Sequence, residues 1–482
     1  MSNAHYDAVI IGSGQGGTPL SIAFAQAKQK TALIESSHVG GCCINEGCTP
    51  TKTLIASGRV AHLTQRGPQF GVYTDNDADA ANNAIHVNME IVRQRKRDIV
   101  NSFRSGSERK VREAGVELIL GTASFGDERT IQVRDADGHE RALTADRIFI
   151  CSGERPATPK IDGFNSALFP PGVILDSTSI QELGVVPSHL VVVGGGVIGL
   201  EFGQLFRRLG AAVTILQRGT QLLPREDSEV AETMLNVLQE DGIRILLQAT
   251  PTAIRATGNQ DSAAAVKLSV AVSSQDSPCE LLASHVLFAA GRTPNTEILN
   301  LAAAGIDTTA RGHIITDSQL RTTNDRVWAL GDVKGGPAFT HISYDDFRLL
   351  RTNLLEQGSL TTEDRIVPYV VYTDPQLGHV GLHEHEARVK FPGRKIQVAS
   401  MPMSYVARAL ETDESRGMMK AVVDAESQQI LGFTCLGIEG GEIMSLVEMA
   451  MIGKVKWTAL SNAIWAHPSL AESLNNIWGF LK

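Results

Sequence analysis

The sequence predicts an α/β chain: two doubly wound parallel-sheet units followed by a smaller α+β module. Three observations carry this prediction. An apolar strand ends in a glycine-rich turn that opens a helix at Gly12–Gly17, and the same arrangement returns at Gly194–Gly199. From about Val367 onward, strand and helix runs alternate without such a turn.

The elements follow in order. Tyr6–Gly12 reads as a strand, Thr18–Lys28 as a helix and Thr31–Glu35 as the next strand, a βαβ unit. Asn45–Leu63 reads as mostly helical, 74–84 as a polar surface loop, and Val87–Ala114 as a long helix. That helix carries a basic cluster, Arg93–Arg97, expected on a solvated face. Val116–Leu120, Arg129–Val133 and Arg147–Cys151 are strand-like. Arg155–Pro159 is a proline-rich break and a linker candidate, and Gly291–Asn295 is a second break. His189–Gly194 starts the second βαβ unit, and Val327–Asp332 is a strand ending in Gly-Asp. After the polar connection 356–367, strands are expected at Val370–Tyr372, Ile396–Ser400, Met418–Val423 and Ile430–Leu436, and helices at Glu384–Val389 and Gly441–Ile452.

Composition bounds the function. The chain has 482 residues, enough for roughly three domains, with an ordinary globular balance of 43% hydrophobic and 20% charged residues. A formal charge of −9 argues against nucleic acid or an anionic membrane as partner. Six cysteines are too few for a secreted disulfide scaffold. The apolar runs are of strand length, and no secretory signal is visible. A reducing, cytoplasmic compartment is therefore expected, where a disulfide serves catalysis rather than structure.

Gly12-Ser13-Gly14-Gln15-Gly16-Gly17 fits G-x-G-x-x-G, and Glu35 ends the following strand. Gly12, Gly14 and Gly17 let the backbone approach a pyrophosphate at the helix N-terminus, and Glu35 accepts from ribose hydroxyls. Gly194, Gly196 and Gly199 repeat the pattern. Both units thus read as Rossmann-like and dinucleotide-binding. Glu35 lies 23 residues after Gly12, and the same count from Gly194 reaches the neutral Gln217, followed by Arg218. Without the carboxylate, a 2′-phosphate meets no repulsion and Arg218 can pair with it, helped by Arg225, so NADPH is expected over NADH.

Cys43 and Cys48 follow the first fingerprint, with four residues between them, within Gly40–Lys52. Neighbouring thiols beside a cofactor site read as a pair cycling between disulfide and dithiol, and a helix start stabilises a thiolate. The alternatives are two core cysteines or half a metal site. A structural zinc site wants four ligands at tighter spacing, and no second cysteine pair exists. Cys151, Cys279 and Cys435 read as ordinary residues in or beside strands.

These markers resemble the class I flavin disulfide reductases, the group of glutathione reductase, dihydrolipoamide dehydrogenase and mercuric reductase. The resemblance covers essentially the whole chain. It runs through the first fingerprint, the Cys43–Cys48 segment, the second fingerprint ending in Glu201, Gly291–Asn295, Gly331-Asp332, and His467–Glu472. It implies FAD at the first unit, a nicotinamide nucleotide at the second, and a C-terminal dimerisation domain forming a homodimer. The implied domains are 1–155 and 291–366 for FAD, 156–290 for NAD(P) and 367–482 for the interface. Cys48 is implied to face the flavin and Cys43 to attack the acceptor. Lys52 would lie near the flavin and pair with Glu201, and Asp332 would hold the ribityl chain. Gly121, Ala123, Ser152, Gly153, Gly331, Gly291 and Arg292 belong to the implied cofactor-binding stretches. His467 is the implied acid–base catalyst of the other subunit's disulfide, oriented by Glu472. Pro468 suits a first helical turn, so His467 is expected at a helix start with Glu472 about one turn inside.

The wording Cys-Thr-Pro-Thr-Lys and the segment Phe339–Phe347 point to the mercuric-reductase-like branch, which includes a reactive-chlorine-resistance flavoenzyme. The chain has no cysteine after Cys435 and starts directly at the flavin unit, so mercury reduction is not expected. Cys42 stands where relatives carry threonine, either inert or a third thiol. The implied acceptor is a disulfide, a metal ion or an electrophile, with no resident metal. The competing reading is a thiol-independent flavin enzyme such as a transhydrogenase or quinone reductase, and retention of both thiols argues against it.

Overall fold

The computed structural model describes residues 4–73, 85–258, 264–274, 277–363 and 365–482. The loop expected over 74–84 lies outside the described residues, as does residue 364 in the connection 356–367. The chain divides into two compact units. One comprises Met1–Leu54, Glu90–Thr158 and Gly291–Arg365, the other Ile55–Met89, Pro159–Ala290 and Ile366–Lys482.

In the first unit, Ala4–Ile11 lies between the parallel strands Thr31–Glu35 and Glu140–Ile150, and Glu117–Leu120 extends the sheet beyond Thr31–Glu35. Val327–Ala329 joins Glu140–Ile150 in parallel, so the returning segment completes the sheet begun at the N-terminus. Thr122–Phe125 and Thr130–Arg134 add antiparallel strands. The central strands are apolar on both sides, and each sheet face is packed into its own core.

Three local expectations are corrected here. The helix read over Asn45–Leu63 is two helices, Gly41–Asn45 and Cys48–Arg66, broken at Glu46-Gly47, so Cys43 sits inside a short helix and Cys48 begins a long one. A Cβ at Gly47 would lie 3.0 Å from the Cys42 carbonyl, so this break depends on a residue without a side chain. The basic cluster is not uniformly solvated, because Lys96 is buried on the helix Met89–Glu113 and the Arg95 guanidinium donates to the Thr53 carbonyl at 3.0 Å. Finally, the two breaks pair with each other as an antiparallel ribbon, Glu154–Pro156 against Arg292–Pro294. Pro156 and Pro294 cannot donate to a longer ladder, which keeps the ribbon short.

In the second unit, five parallel strands run in the order Arg244–Leu247, Ala212–Gln217, His189–Val193, His285–Phe288, Ile174–Leu175. A three-stranded antiparallel sheet, Ala249–Ala256, Val266–Val272 and Cys279–Ala283, is an addition the sequence pattern did not mark. The C-terminal module is a five-stranded antiparallel sheet in the order Tyr369–Val371, Gln376–Gly381, Ile430–Gly437, Met418–Asp424, Ile396–Pro402. Its core includes the buried face of the helix Gly440–Ile452. Gln376–Gly381, which contains two glycines, is a strand the sequence pattern did not mark. Gly378 has a packing reason: a Cβ there would meet the Gly440 carbonyl at 2.6 Å, so the bare backbone lets the helix close in.

Candidate functional site

The two glycine fingerprints are built alike. A Cβ at Gly12 would lie 2.4 Å from the Cys151 carbonyl, and one at Gly194 would lie 2.5 Å from that of Ala289. Gly17 and Gly199 press on the carbonyls of Gly12 and Gly194 in the same way, at 2.1 and 1.9 Å. In both motifs the middle glycine, Gly14 or Gly196, faces open space. The helices Gly17–Gln26 and Val197–Arg208 start directly behind, without side-chain caps, so their first N–H groups face the same opening. This is the cradle a pyrophosphate needs.

The residues after the second strands also correspond. The Glu35 carboxylate accepts from Ser13 N at 3.0 Å and from Ser13 Oγ at 2.6 Å. The amide oxygen of Gln217 accepts from Gly195 N at 3.3 Å. The two side chains therefore hold equivalent places, one charged and one neutral. Arg218 and Arg225 are exposed, with no carboxylate partner among the described residues. Further along the first unit, Gly121 N donates to the Glu35 carbonyl at 2.9 Å, with Ala123 buried beside it. Ser152 Oγ is buried without a hydrogen-bond partner, and Gly153 faces open space. An orphaned hydroxyl next to an open glycine fits a bound dinucleotide. Burial pushes the Asp332 carboxyl up to about 6. Gly331 N donates to Asp346 at 2.9 Å.

The thiol segment is docked onto this cradle. A Cβ on Gly41, at φ 63°, would sit 2.5 Å from the Gly14 Cα, and Gly40 N donates to Ser13 Oγ at 3.2 Å. Arg104 anchors the short helix through Asn45 Oδ1 at 2.8 Å. The Cys43 thiol is held well above the ordinary thiol range by its hydrogen bond with Cys48, with burial adding to the effect. Cys48 stands at the start of a helix, a position that favours a thiolate. Thr340 Oγ1 lies 3.2 Å from Cys48 Sγ. The segment Phe339–Phe347 was noted in the sequence, but this role of Thr340 was not. Arg292 was expected only as a cofactor-side residue. It is held by the Glu154 carbonyl at 2.7 Å and reaches Cys42 Sγ at 3.7 Å. Cys42 is exposed.

Lys52 follows Cys48 by one helical turn. In the other unit, Glu201 is buried on Val197–Arg208 and accepts from Tyr372 N at 2.9 Å. His467 Nδ1 lies 3.0 Å from the Glu472 carboxylate, with the His467 side chain 69% exposed. The helix-start expectation for His467 is corrected. The His467–Pro468 peptide is cis, His467 lies in an irregular segment, and Glu472 is the N-cap residue of the short helix Ser473–Asn476. Glu472 N donates to Ser469 Oγ at 3.2 Å, and this turn rather than a helical spacing joins the pair.

Among the described residues no helix is long and apolar enough to cross a membrane. The family described as pyridine nucleotide-disulphide oxidoreductase matches residues 6–346, and its dimerisation domain matches 367–477. The probable pyridine nucleotide-disulfide oxidoreductase RclA of Escherichia coli (strain K12) is 36% identical over 99% of both chains. A mercuric reductase of Staphylococcus aureus is 32% identical over 97% of this chain and 81% of its own. The solved Cu(II) complex of the HOCl-induced flavoprotein disulfide reductase RclA from Escherichia coli superposes with a TM-score of 0.86 at 34% identity, covering both chains fully. The chain therefore belongs to the pyridine nucleotide-disulphide oxidoreductase family, as a homodimer-forming, FAD-dependent enzyme that passes electrons from NAD(P)H to a redox disulfide and on to a disulfide or metal-ion acceptor.

Proposed function

We propose that the redox disulfide is Cys43–Cys48, that NADPH is the preferred donor, and that the acceptor is a soft, thiophilic species, Cu(II) or a disulfide. The observation that carries this reading is the juxtaposition of the Cys43 and Cys48 thiols on a segment packed against the first fingerprint. FAD supplies hydride acceptance and two-electron transfer between the nucleotide and the sulfurs. The residues 1–155 and 291–366 bind it. Gly12, Gly14, Gly17, Glu35, Gly121, Ala123, Ser152, Gly153, Gly331 and Asp332 form the cradle, with Lys52 placed to hold its positive charge near the ring. Residues 156–290 bind the nicotinamide nucleotide through Gly194, Gly196 and Gly199, with Gln217 and Arg218 selecting the 2′-phosphate. Gly291 and Arg292 close the crossover beside Cys42.

Cys48 takes the flavin side because it begins the helix, where a thiolate is favoured. As the acceptor arrives, Cys43 passes its proton to His467 of the partner subunit and attacks as the thiolate. With a disulfide, Cys43 forms a mixed disulfide, one acceptor thiolate leaves, and Cys48 displaces the second to regenerate Cys43–Cys48. With copper, the dithiol gives one electron to each of two Cu(II) ions, yielding two Cu(I), the disulfide and two protons. His467, paired with Glu472, protonates the leaving thiolate in the other subunit's site, within the interface domain 367–482. The copper option is supported by the solved copper complex of the relative. The compartment consistent with these reducing thiols is the cytoplasm.

The test follows NADPH and NADH oxidation in parallel against Cu(II), small disulfides and hypochlorite-derived electrophiles, before and after alkylation of the reduced pair. Turnover with a thiophilic acceptor that alkylation abolishes is the expected result. Undiminished turnover after alkylation would establish the thiol-independent alternative.

A further inference from the structure

Glu226, His379 and His383 are buried side chains that this electron path does not use, with exposures of 7%, 2% and 6%. Their donor atoms all lie within 4.8 Å of one another. We infer that they form a binding site for one divalent d-block cation of the zinc or copper class, with the Tyr369 hydroxyl beside it as a further oxygen donor.

The local sequence builds the site. His379 lies in the strand Gln376–Gly381, and His383 is the N-cap residue of the helix Glu384–Lys390. Between them Gly381 turns the chain at φ 84°, where a Cβ would strike the Leu431 carbonyl at 2.4 Å. The turn stacks the two imidazoles, with centroids 3.9 Å apart and planes 14° apart, so loading requires the rings to turn out of the stack before both in-plane lone pairs reach one cation. Glu226 comes from the loop between Ala212–Gln217 and Ser228–Glu240. Tyr369 donates its hydroxyl proton to Glu226, and its oxygen stands 3.3 Å from His383 Nε2.

Two features separate this cluster from ordinary core packing. Glu226 Oε2 is buried with no hydrogen-bond partner among the described residues, although a carboxylate oxygen is costly to leave unsatisfied. The donor set, two imidazoles and a carboxylate, is that of zinc and copper rather than calcium or magnesium. Thr434 Oγ1 holds His379 Nδ1 at 2.8 Å, the kind of outer contact that orients a ligating ring. Loading exchanges the 3.2 Å contact of His379 Nε2 with the Gly381 carbonyl for the cation. The charged groups facing the cluster are Asp227, Glu386, His385, Lys420 and Arg225.

The test uses the FAD-loaded dimer carrying Cys42→Ser, Cys43→Ser, Cys48→Ser and His139→Ala. These changes remove the three thiols of the Cys42–Cys48 segment and the exposed Asp135–Asp137–His139 group as competing ligands. After chelator treatment the protein is dialysed against Zn2+, and retained metal is counted per chain. Close to one Zn2+ per chain is expected, with Glu226→Gln and His383→Asn each weakening retention by about tenfold or more. Cu2+ loaded instead should show electron paramagnetic resonance coupling to two imidazole nitrogens, reduced to one by His383→Asn. Retention by the background no higher than by the Glu226→Gln/His383→Asn double variant, at equal flavin content and thermal stability, overturns the site. Should a variant lose its fold, the background decides by itself: one Zn2+ with two coupled nitrogens supports the site, and absence of either overturns it.

Discussion

At the scale of single residues, the two thiols are chemically unequal. Cys43 lies inside the short helix Gly41–Asn45, its pKa raised by its hydrogen bond with Cys48 and by burial, and Cys48 starts the helix Cys48–Arg66. Two-electron reduction should therefore give a long-wavelength charge-transfer band between the Cys48 thiolate and oxidised flavin. Cys48→Ser should abolish the band, while Cys43→Ser should show it without any reductant; titrations followed by absorbance distinguish the two, and identical behaviour would refute the assignment. The residue after the second fingerprint's strand is just as specific. Gln217 holds the place that Glu35 holds in the first unit, and Arg218 beside it is exposed. Gln217→Glu combined with Arg218→Ala should turn preference from NADPH towards NADH. A charge-assisted contact is worth about 1.5–3 kcal/mol, so about tenfold or more in kcat/KM is expected. A wild-type enzyme that already favours NADH would contradict the reading of Gln217.

At the scale of elements, a buried cation ties three of them together in the second unit. Lys420, on the strand Met418–Asp424 and 4% exposed, contacts Asp227 at 3.0 Å, Glu229 at 2.6 Å and Glu384 at 2.9 Å. These carboxylates sit at the start of the helices Ser228–Glu240 and Glu384–Lys390, where negative charge is also favoured by the helix ends. Lys420→Met leaves them together without a counter-charge and should destabilise the fold by about 3–5 kcal/mol, measured by urea unfolding of the FAD-loaded dimer. The pH dependence follows from the same contacts. Burial alone would raise the carboxyls of Asp227 and Glu384, but hydrogen bonds and charge from Lys420 bring both below their ordinary values. Their stabilisation is complete above the unfolded carboxylate range, near 4, and is lost as pH falls through the lower folded values. The gap between wild type and Lys420→Met should accordingly narrow on acidification; a gap that widens would contradict the assignment.

At the scale of the whole molecule, the proposal that His467 and Glu472 complete the other subunit's site sets a test no single variant can mimic. His467→Gln should leave flavin reduction by NADPH nearly intact while slowing acceptor turnover by about 10²–10⁴-fold. A heterodimer of Cys43→Ser and His467→Gln chains contains one site with both defects and one with neither. It should regain up to half of wild-type activity once mass spectrometry shows that subunits have exchanged. Exchange without recovery would place His467 in its own chain's chemistry or outside the reaction.

The sequence by itself determined the two glycine cradles, the acidic and neutral residues that follow them, the thiol pair and the His467–Glu472 pairing. Each depends on short-range geometry, such as a glycine where a Cβ would strike a carbonyl, or partners a few residues apart. The strand Thr31–Glu35 was legible to the residue, because a buried parallel strand must be apolar on both faces. What depends on distant partners was not legible. The pairing of Glu154–Pro156 with Arg292–Pro294, the strand through Gly378, the burial of Lys96 and the approach of Thr340 to Cys48 and Arg292 to Cys42 arise when segments far apart in the chain meet. The irregular geometry at His467–Pro468 overrode a helix-start reading, because Ser469 and Glu472 close a turn there that propensity does not show. The Glu226–His379–His383 cluster was invisible for the same physical reason. Two histidines and a distant glutamate have no shared period, and only burial against one another brings their donor atoms within 4.8 Å of one another.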